Sequence, residues 1–183
     1  ENNYDSLLIF SNKAISYFPS DPLYYYFHAI SNIYFKKYNT ALNSLELGVE
    51  YVFDNEMLYA EFQSSLADTY HALKIHDKSD SIFDQLLLNN SNNVIVLNNY
   101  SYYLSLRKKD LNRAKKMSKK CNDLEPNNGT YQDTYGWVLY CLGDFENAKI
   151  WIERALSNGS QTSAVVVEHY GDILFNLGLK KEA

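Results

Sequence analysis

Residues 133–155 read DTYGWVLYCLGDFENAKIWIERA, with Gly136, Ala148 and Ala155 set among large apolar side chains. A catalytic loop, a phosphate cradle and a structural repeat each use small residues, and each demands different neighbours. A phosphate cradle needs a GxGxxG or GKS/T run, and neither is present. The small residues instead recur along the chain. Ala29, Ala67, Ser101, Gly136 and Gly171 are separated by 38, 34, 35 and 35 residues. A second series, Ala41, Ser79, Ala114, Ala148 and Ala183, follows with separations of 38, 35, 34 and 35. Two series in step define a repeat protein.

Each unit reads as a pair of amphipathic helices. Leu139, Leu142, Ile150 and Ile152 supply apolar stripes at helical spacing. Gly143 closes one helix and Asp144 opens the next. LEPNNG (124–129) and FPSDP (18–22) punctuate between units, since Pro19, Pro22 and Pro126 disfavour helix continuation. Short connections make the paired helices antiparallel neighbours. Where they cross closely a large side chain would force the backbones apart, which gives Gly136 and Ala148 their job, as it does Gly171 and Ala183. Tyr135, Leu139, Trp151 and Ile152 are expected to fill the space around that crossing.

Composition narrows the function classes. With 46% hydrophobic and 21% charged residues the chain has enough apolar surface for a core, and 7 Gly with 3 Pro favour long helices over a many-turned sheet. A net charge of −5 argues against a general nucleic-acid binder. The one basic cluster, RKKDLNRAKKMSKK (107–120), reads as a solvated outer face. Cys121 and Cys141 sit in no metal or redox spacing, and no apolar run approaches a membrane span. His71 and His76, five apart, fall on different faces of one helix and give no metal pair. His28 and His169 flank the crossing residues and are assigned to packing. No catalytic residue, metal site or cofactor is expected.

The units resemble the tetratricopeptide repeat (TPR) family, whose pattern is W-x2-L-G-x2-Y, then A-x3-F-x2-A, then P. The fourth unit matches it with Gln132, Tyr135, Gly136, Leu139, Ala148, Ile152 and Ala155, the second with Leu66, Ala67, Tyr70, Ser79 and Phe83. The third offers Tyr100, Ser101, Leu104, Ala114, Cys121 and Pro126, and the first is weaker, with His28, Ala29, Ala41 and Leu45. No unit carries the family's Trp. The resemblance implies an all-α fold, a right-handed superhelical α-solenoid of antiparallel helix pairs in a single array over 1–183. Residues 4–19 are then the second helix of a preceding unit, followed by repeats at 22–53, 56–91, 93–126, 128–159 and a truncated 163–183. Both ends fall inside a unit, so a piece of a longer protein is expected, with terminal helices that self-associate.

In that family the first helix of each unit lines a groove for peptides or partner helices. Carried over, the groove comprises Tyr26, Tyr34, Glu61, Asp68, Asn98, Tyr102, Asp133, Trp137, Tyr140, Glu168, Asp172 and Phe175. These positions hold acids and aromatics with no Lys or Arg. The implied function is a non-catalytic protein–protein interaction scaffold whose partner is a neutral to basic protein or peptide. Nucleic acid and direct membrane insertion are not expected. The alternative is an assembly module that tethers or oligomerises a larger protein through its terminal helices. The fourth and fifth units are also similar to TPR proteins of bacterial envelopes, which favours the periplasm or envelope over the cytoplasm.

Overall fold

A computed structural model describes residues 3–179, and Ala183, the last of the second small-residue series, lies outside them. The backbone contacts divide the chain into two units that meet at Asn89 and Asn90. The first holds α1 (Tyr4–Tyr17), α2 (Pro22–Tyr34), α3 (Tyr38–Val49), α4 (Glu56–Ala72) and α5 (His76–Asn89). The second holds α6 (Val94–Leu106), α7 (Leu111–Leu124), α8 (Gly129–Cys141), α9 (Phe145–Ala155) and α10 (Ala164–Asn176), with a single π turn, Leu156–Ser160, after α9. No strand occurs among the described residues.

Asparagine-rich joints start many of the helices. The side chains of Asn3, Asp21, Asn55, Asn93, Asp110, Asn128 and Ser163 each accept a hydrogen bond from a backbone N–H of the first turn. Asp144, expected to cap α9, makes no such bond. Its carboxylate instead accepts from Asn147 Nδ2 at 2.8 Å.

One turn geometry recurs between paired helices. Lys36, Lys74, Lys108, Gly143 and Gly178 all have positive φ, at 57°, 62°, 51°, 82° and 80°. After each, the next N–H reaches the carbonyl five residues back, as in Lys37 to Asn32 (2.8 Å), Lys109 to Leu104 (3.0 Å) and Asp144 to Leu139 (3.0 Å). The left-handed residue reverses the chain while the six-to-one bond satisfies a terminal carbonyl.

Successive helices pack within each unit: α1 to α5 in order in the first, α6 to α10 in order in the second. The first core gathers Ala29, Ala41, Leu45, Phe62, Leu66 and Tyr70, and the second Tyr135, Leu139, Ala148, Ile152, Ala155, Val166 and Ile173. Gly136 sits where the sequence argument put it. A Cβ there would stand 2.8 Å from Ile152 Cδ1 and 3.3 Å from the Ala148 carbonyl, so α8 and α9 approach closely at this point. Trp151 packs edge-on to Tyr135, with ring centroids 4.8 Å apart, and the Arg154 guanidinium lies over its ring at 4.7 Å. Gln132, at the position of the family's Trp, is buried and hydrogen-bonded at both ends. It donates to the Pro126 carbonyl (2.7 Å) and accepts from Asn158 (2.9 Å).

Candidate functional site

In the second unit α8 packs against both α6 and α10, which brings eight of the expected groove positions onto three neighbouring helices. On α8, Trp137 stacks against Tyr140 (centroids 4.7 Å apart, planes at 17°). Its other neighbour is the imidazole of His169 on α10, at 4.0 Å and 14°. His169 Nδ1 in turn lies 2.9 Å from Asp133 Oδ1, with both side chains buried. Tyr102 of α6 approaches His169 with ring centroids 6.2 Å apart. Asn176 Nδ2 donates to the Tyr140 hydroxyl at 3.1 Å, which fixes the outer end of the stack.

This arrangement corrects the expectation for Asp133. As a groove position Asp133 is expected to face a partner, whereas it is only 7% exposed and holds His169 across the α8–α10 contact. A buried carboxylate needs such a partner. His169, assigned to simple packing, is therefore the pivot of the site. The sequence signal for it is the 36-residue offset from Asp133, about one repeat, which sets the two on adjacent first helices. Trp137 is half-buried because both Tyr140 and that imidazole stack on its ring.

Glu168, Asp172 and Phe175 lie on α10, with Glu168 and Phe175 exposed and Asp172 on the open side of the helix. Asn98 on α6 is buried, and neither its Oδ1 nor Trp137 Nε1 has a hydrogen-bond partner among the described residues. Burial pushes the Tyr102 phenol above its ordinary range, and the charges of Asp133 and Glu168 add to the effect. Glu168 and Asp172 leave exposed carboxylates on this face. Beside the stack opens a cleft of about 470 Å³, lined by Ser105, Leu106, Lys108, Trp137, Tyr140, Cys141, Gly143 and Phe145. Lys108 thus brings a cation beside groove positions that hold no Lys or Arg.

The first unit carries the remaining four positions. Tyr26 is half-buried, its hydroxyl raised by burial and by the nearby carboxylates of Glu61 and Asp68, with a Ser65 hydrogen bond opposing. Its ring meets Phe62 at 5.3 Å. Tyr34 is exposed on one side and stacks on Tyr4 of α1 at 4.1 Å and 18°. Glu61 is exposed and Asp68 half-buried.

His28 and Cys121 belong to packing. His28 Nδ1 lies 2.7 Å from Ser44 Oγ, and burial lowers its pKa. The rings of His71 and His76 lie 5.2 Å apart, contrary to the expectation that they diverge. The reason is that α4 ends at Ala72 and α5 starts at His76, so the turn between them, not a helix face, sets their spacing. No group of three or more His, Cys, Asp or Glu that could hold a metal occurs among the described residues. Burial pushes the Cys121 thiol up to about 12, so it is held as the unreactive thiol. Among the described residues no helix is long and apolar enough to cross a membrane.

No family model matches the sequence, and no curated protein matches it. Solved structures do. TTC0263, a thermophilic TPR protein of Thermus thermophilus, superposes with a TM-score of 0.76 at 17% identity, covering 94% of this chain and 91% of its own. YrrB, described as a TPR protein with an unusual peptide-binding site, gives 0.64 at 14% identity, with 91% and 83% covered. A monomeric mutant of IFIT1 with Gppp-AAAA gives 0.80 at 15% identity, covering 100% of this chain but 45% of IFIT1. The chain is an all-α solenoid with the fold of the tetratricopeptide repeat proteins.

Proposed function

We propose that the chain is a non-catalytic protein-interaction scaffold, and that the face shared by α6, α8 and α10 takes a peptide or partner helix of neutral to basic character. The observation that carries this reading is the Tyr140–Trp137–His169 stack, locked by Asp133 and lying beside an open cleft. Rigid aromatic rings held at a wet surface make anchors at low entropic cost. The carboxylates of Glu168 and Asp172 add a preference for basic groups. Tyr26, Tyr34, Glu61 and Asp68 supply the same chemistry on the first unit. The repeat boundaries at 22–53, 56–91, 93–126, 128–159 and 163–183 belong to this reading. YrrB supports it as a protein of this fold with a peptide-binding site.

The test is a pull-down from native lysate read by mass spectrometry, with direct titration of the peptides recovered. Wild type is compared with Trp137→Ala and with the pair Glu168→Arg and Asp172→Arg, after circular dichroism shows equal helicity. These positions avoid Asp133, whose replacement would disturb folding. Partners lost in both variants support the proposal, and partners kept by both refute it. A capped RNA oligonucleotide belongs in the titration, because the exclusion of nucleic acid rests on charge alone.

The assembly reading has its own observation. Ile9, Phe10, Tyr17 and Phe18, on and just after α1, are each more than half exposed. A run of apolar side chains like this favours self-association. Sedimentation velocity on wild type and Phe10→Glu decides it: a concentration-dependent dimer abolished by the substitution would move the interaction to the end helix.

A further inference from the structure

We propose that the outer face of α7 is a second interaction surface, one that takes a short acidic segment of another protein. Of the 17 Lys and Arg in the chain, eight lie between Arg107 and Lys120 beside a single acid, Asp110. That segment carries +7, which leaves −12 on the rest of a chain whose total is −5. The cations are therefore segregated, not merely numerous.

The helix shows where they point. α7 buries Ala114, Met117, Ser118, Cys121 and Asn122. Lys116 and Lys119 lie on its outer side, and Lys115 and Lys120 are half-buried along the flanks. The pairs Lys115–Lys119 and Lys116–Lys120 set like charges at i, i+4, a spacing that works against the helix. Two of these four are engaged within the molecule, as are Arg107, Lys109 and Arg113 of the same cluster. Lys119 pairs with Asp123 at 2.8 Å, and Lys120 donates to the Ser91 carbonyl. Lys115 and Lys116 have no ion pair among the described residues. In the same unit α9 sets Lys149 against Glu153 at 2.6 Å, one turn on, as α7 itself does with Lys119 and Asp123. Lys115 and Lys116 depart from that pattern.

Size and chemistry select the occupant. The 14 residues of α7 span roughly 20 Å, the length of about six extended residues. A nucleic acid or a lipid surface reaches beyond that stripe and meets the carboxylates of Asp110, Asp123 and Glu125 that flank it, whereas a short acidic peptide does not. Phosphate recognition also favours Arg, whose fork binds bidentately. Here Arg113 is drawn over the Tyr100 ring at 4.8 Å, and the cations left outermost are lysines.

The experiment is fluorescence anisotropy of a labelled peptide of about eight alternating Glu and Asp residues, at roughly physiological ionic strength. The probe is titrated with wild type and with the pair Lys115→Glu and Lys116→Glu. Each new Glu would face a Lys one turn later, so the variant helix gains favourable pairs and stays folded. The expected result is saturable binding by wild type, weakened on the order of tenfold or more in the variant. The pair Lys115→Arg and Lys116→Arg is expected to retain it. A single-stranded oligonucleotide and phosphatidylserine vesicles are the competitors. Absence of peptide binding, unchanged binding by the charge-reversed variant, or tighter binding of either competitor would overturn the proposal.

Discussion

Lys74 stands with φ at +62° in a turn where Gly143 and Gly178 occupy the corresponding positions of later units. The left-handed conformation costs an L-residue on the order of 1 kcal/mol relative to glycine, part of which returns through glycine's greater freedom in the unfolded chain. Lys74→Gly is therefore expected to raise stability by about 0.5 kcal/mol, seen as a higher urea midpoint with an unchanged slope. A lower midpoint would mean that the Lys74 side chain contributes more than its backbone costs. Gly143 was readable as a turn from its chemistry, whereas the lysines at 36, 74 and 108 were not, because lysine carries no turn signal and only the repeat register reveals them. Gly136 is the opposite case, a glycine kept for space within a helix. Gly136→Leu would drive a side chain into Ile152 and the Ala148 carbonyl, at a cost of about 1–3 kcal/mol from overpacking. An unchanged urea midpoint would remove the close crossing from the account.

At the scale of elements, the helix pairs were legible because small residues and apolar stripes keep a period close to the 34 and 35 residues that separate most members of each series. The groove was legible as a set of positions but not as a site. Periodicity tells which residues share a face, but it does not tell which of them the neighbouring helix covers. Asp133 and Asp172 look alike in sequence, yet one is locked to His169 between α8 and α10 while the other stays open to solvent. The difference predicts unequal costs. Asp133→Ala leaves a buried imidazole without its acceptor and should lose about 1–3 kcal/mol. Asp172→Ala should stay within about 0.5 kcal/mol of wild type, as surface substitutions do. Trp137 emission gives a second readout, since loosening His169 frees one face of the indole to water and should shift the spectrum to the red only in the Asp133 variant. Equal effects of the two substitutions on stability and emission would mean that the His169–Asp133 contact holds nothing in place.

Across the whole molecule the least evenly distributed property is charge, with +7 between Arg107 and Lys120 and −12 elsewhere. Lys119 pairs with Asp123 one turn on, but attraction of Lys115 and Lys116 to the rest of the chain is long-ranged, whereas their repulsion with Lys119 and Lys120 acts within one turn. Salt screens both, but the separation of the charges decides which loss dominates: contacts beyond about 10 Å are already damped at about 0.1 M ionic strength. The short-range repulsion therefore governs the salt response of α7. Raising sodium chloride from about 0.1 M to about 1 M should raise the urea midpoint of wild type. In the variant with Lys115→Glu and Lys116→Glu, the same spacings become attractive pairs. That protein should start with a higher midpoint at low salt and respond less, or in the opposite direction, as salt is added. Denaturant titrations of both proteins at the two ionic strengths measure the difference directly. Parallel salt responses would show that the lysines are far enough apart in water to ignore one another. The cost attributed to their spacing would then vanish, and with it the reason to regard the cationic face of α7 as more than a solvated surface.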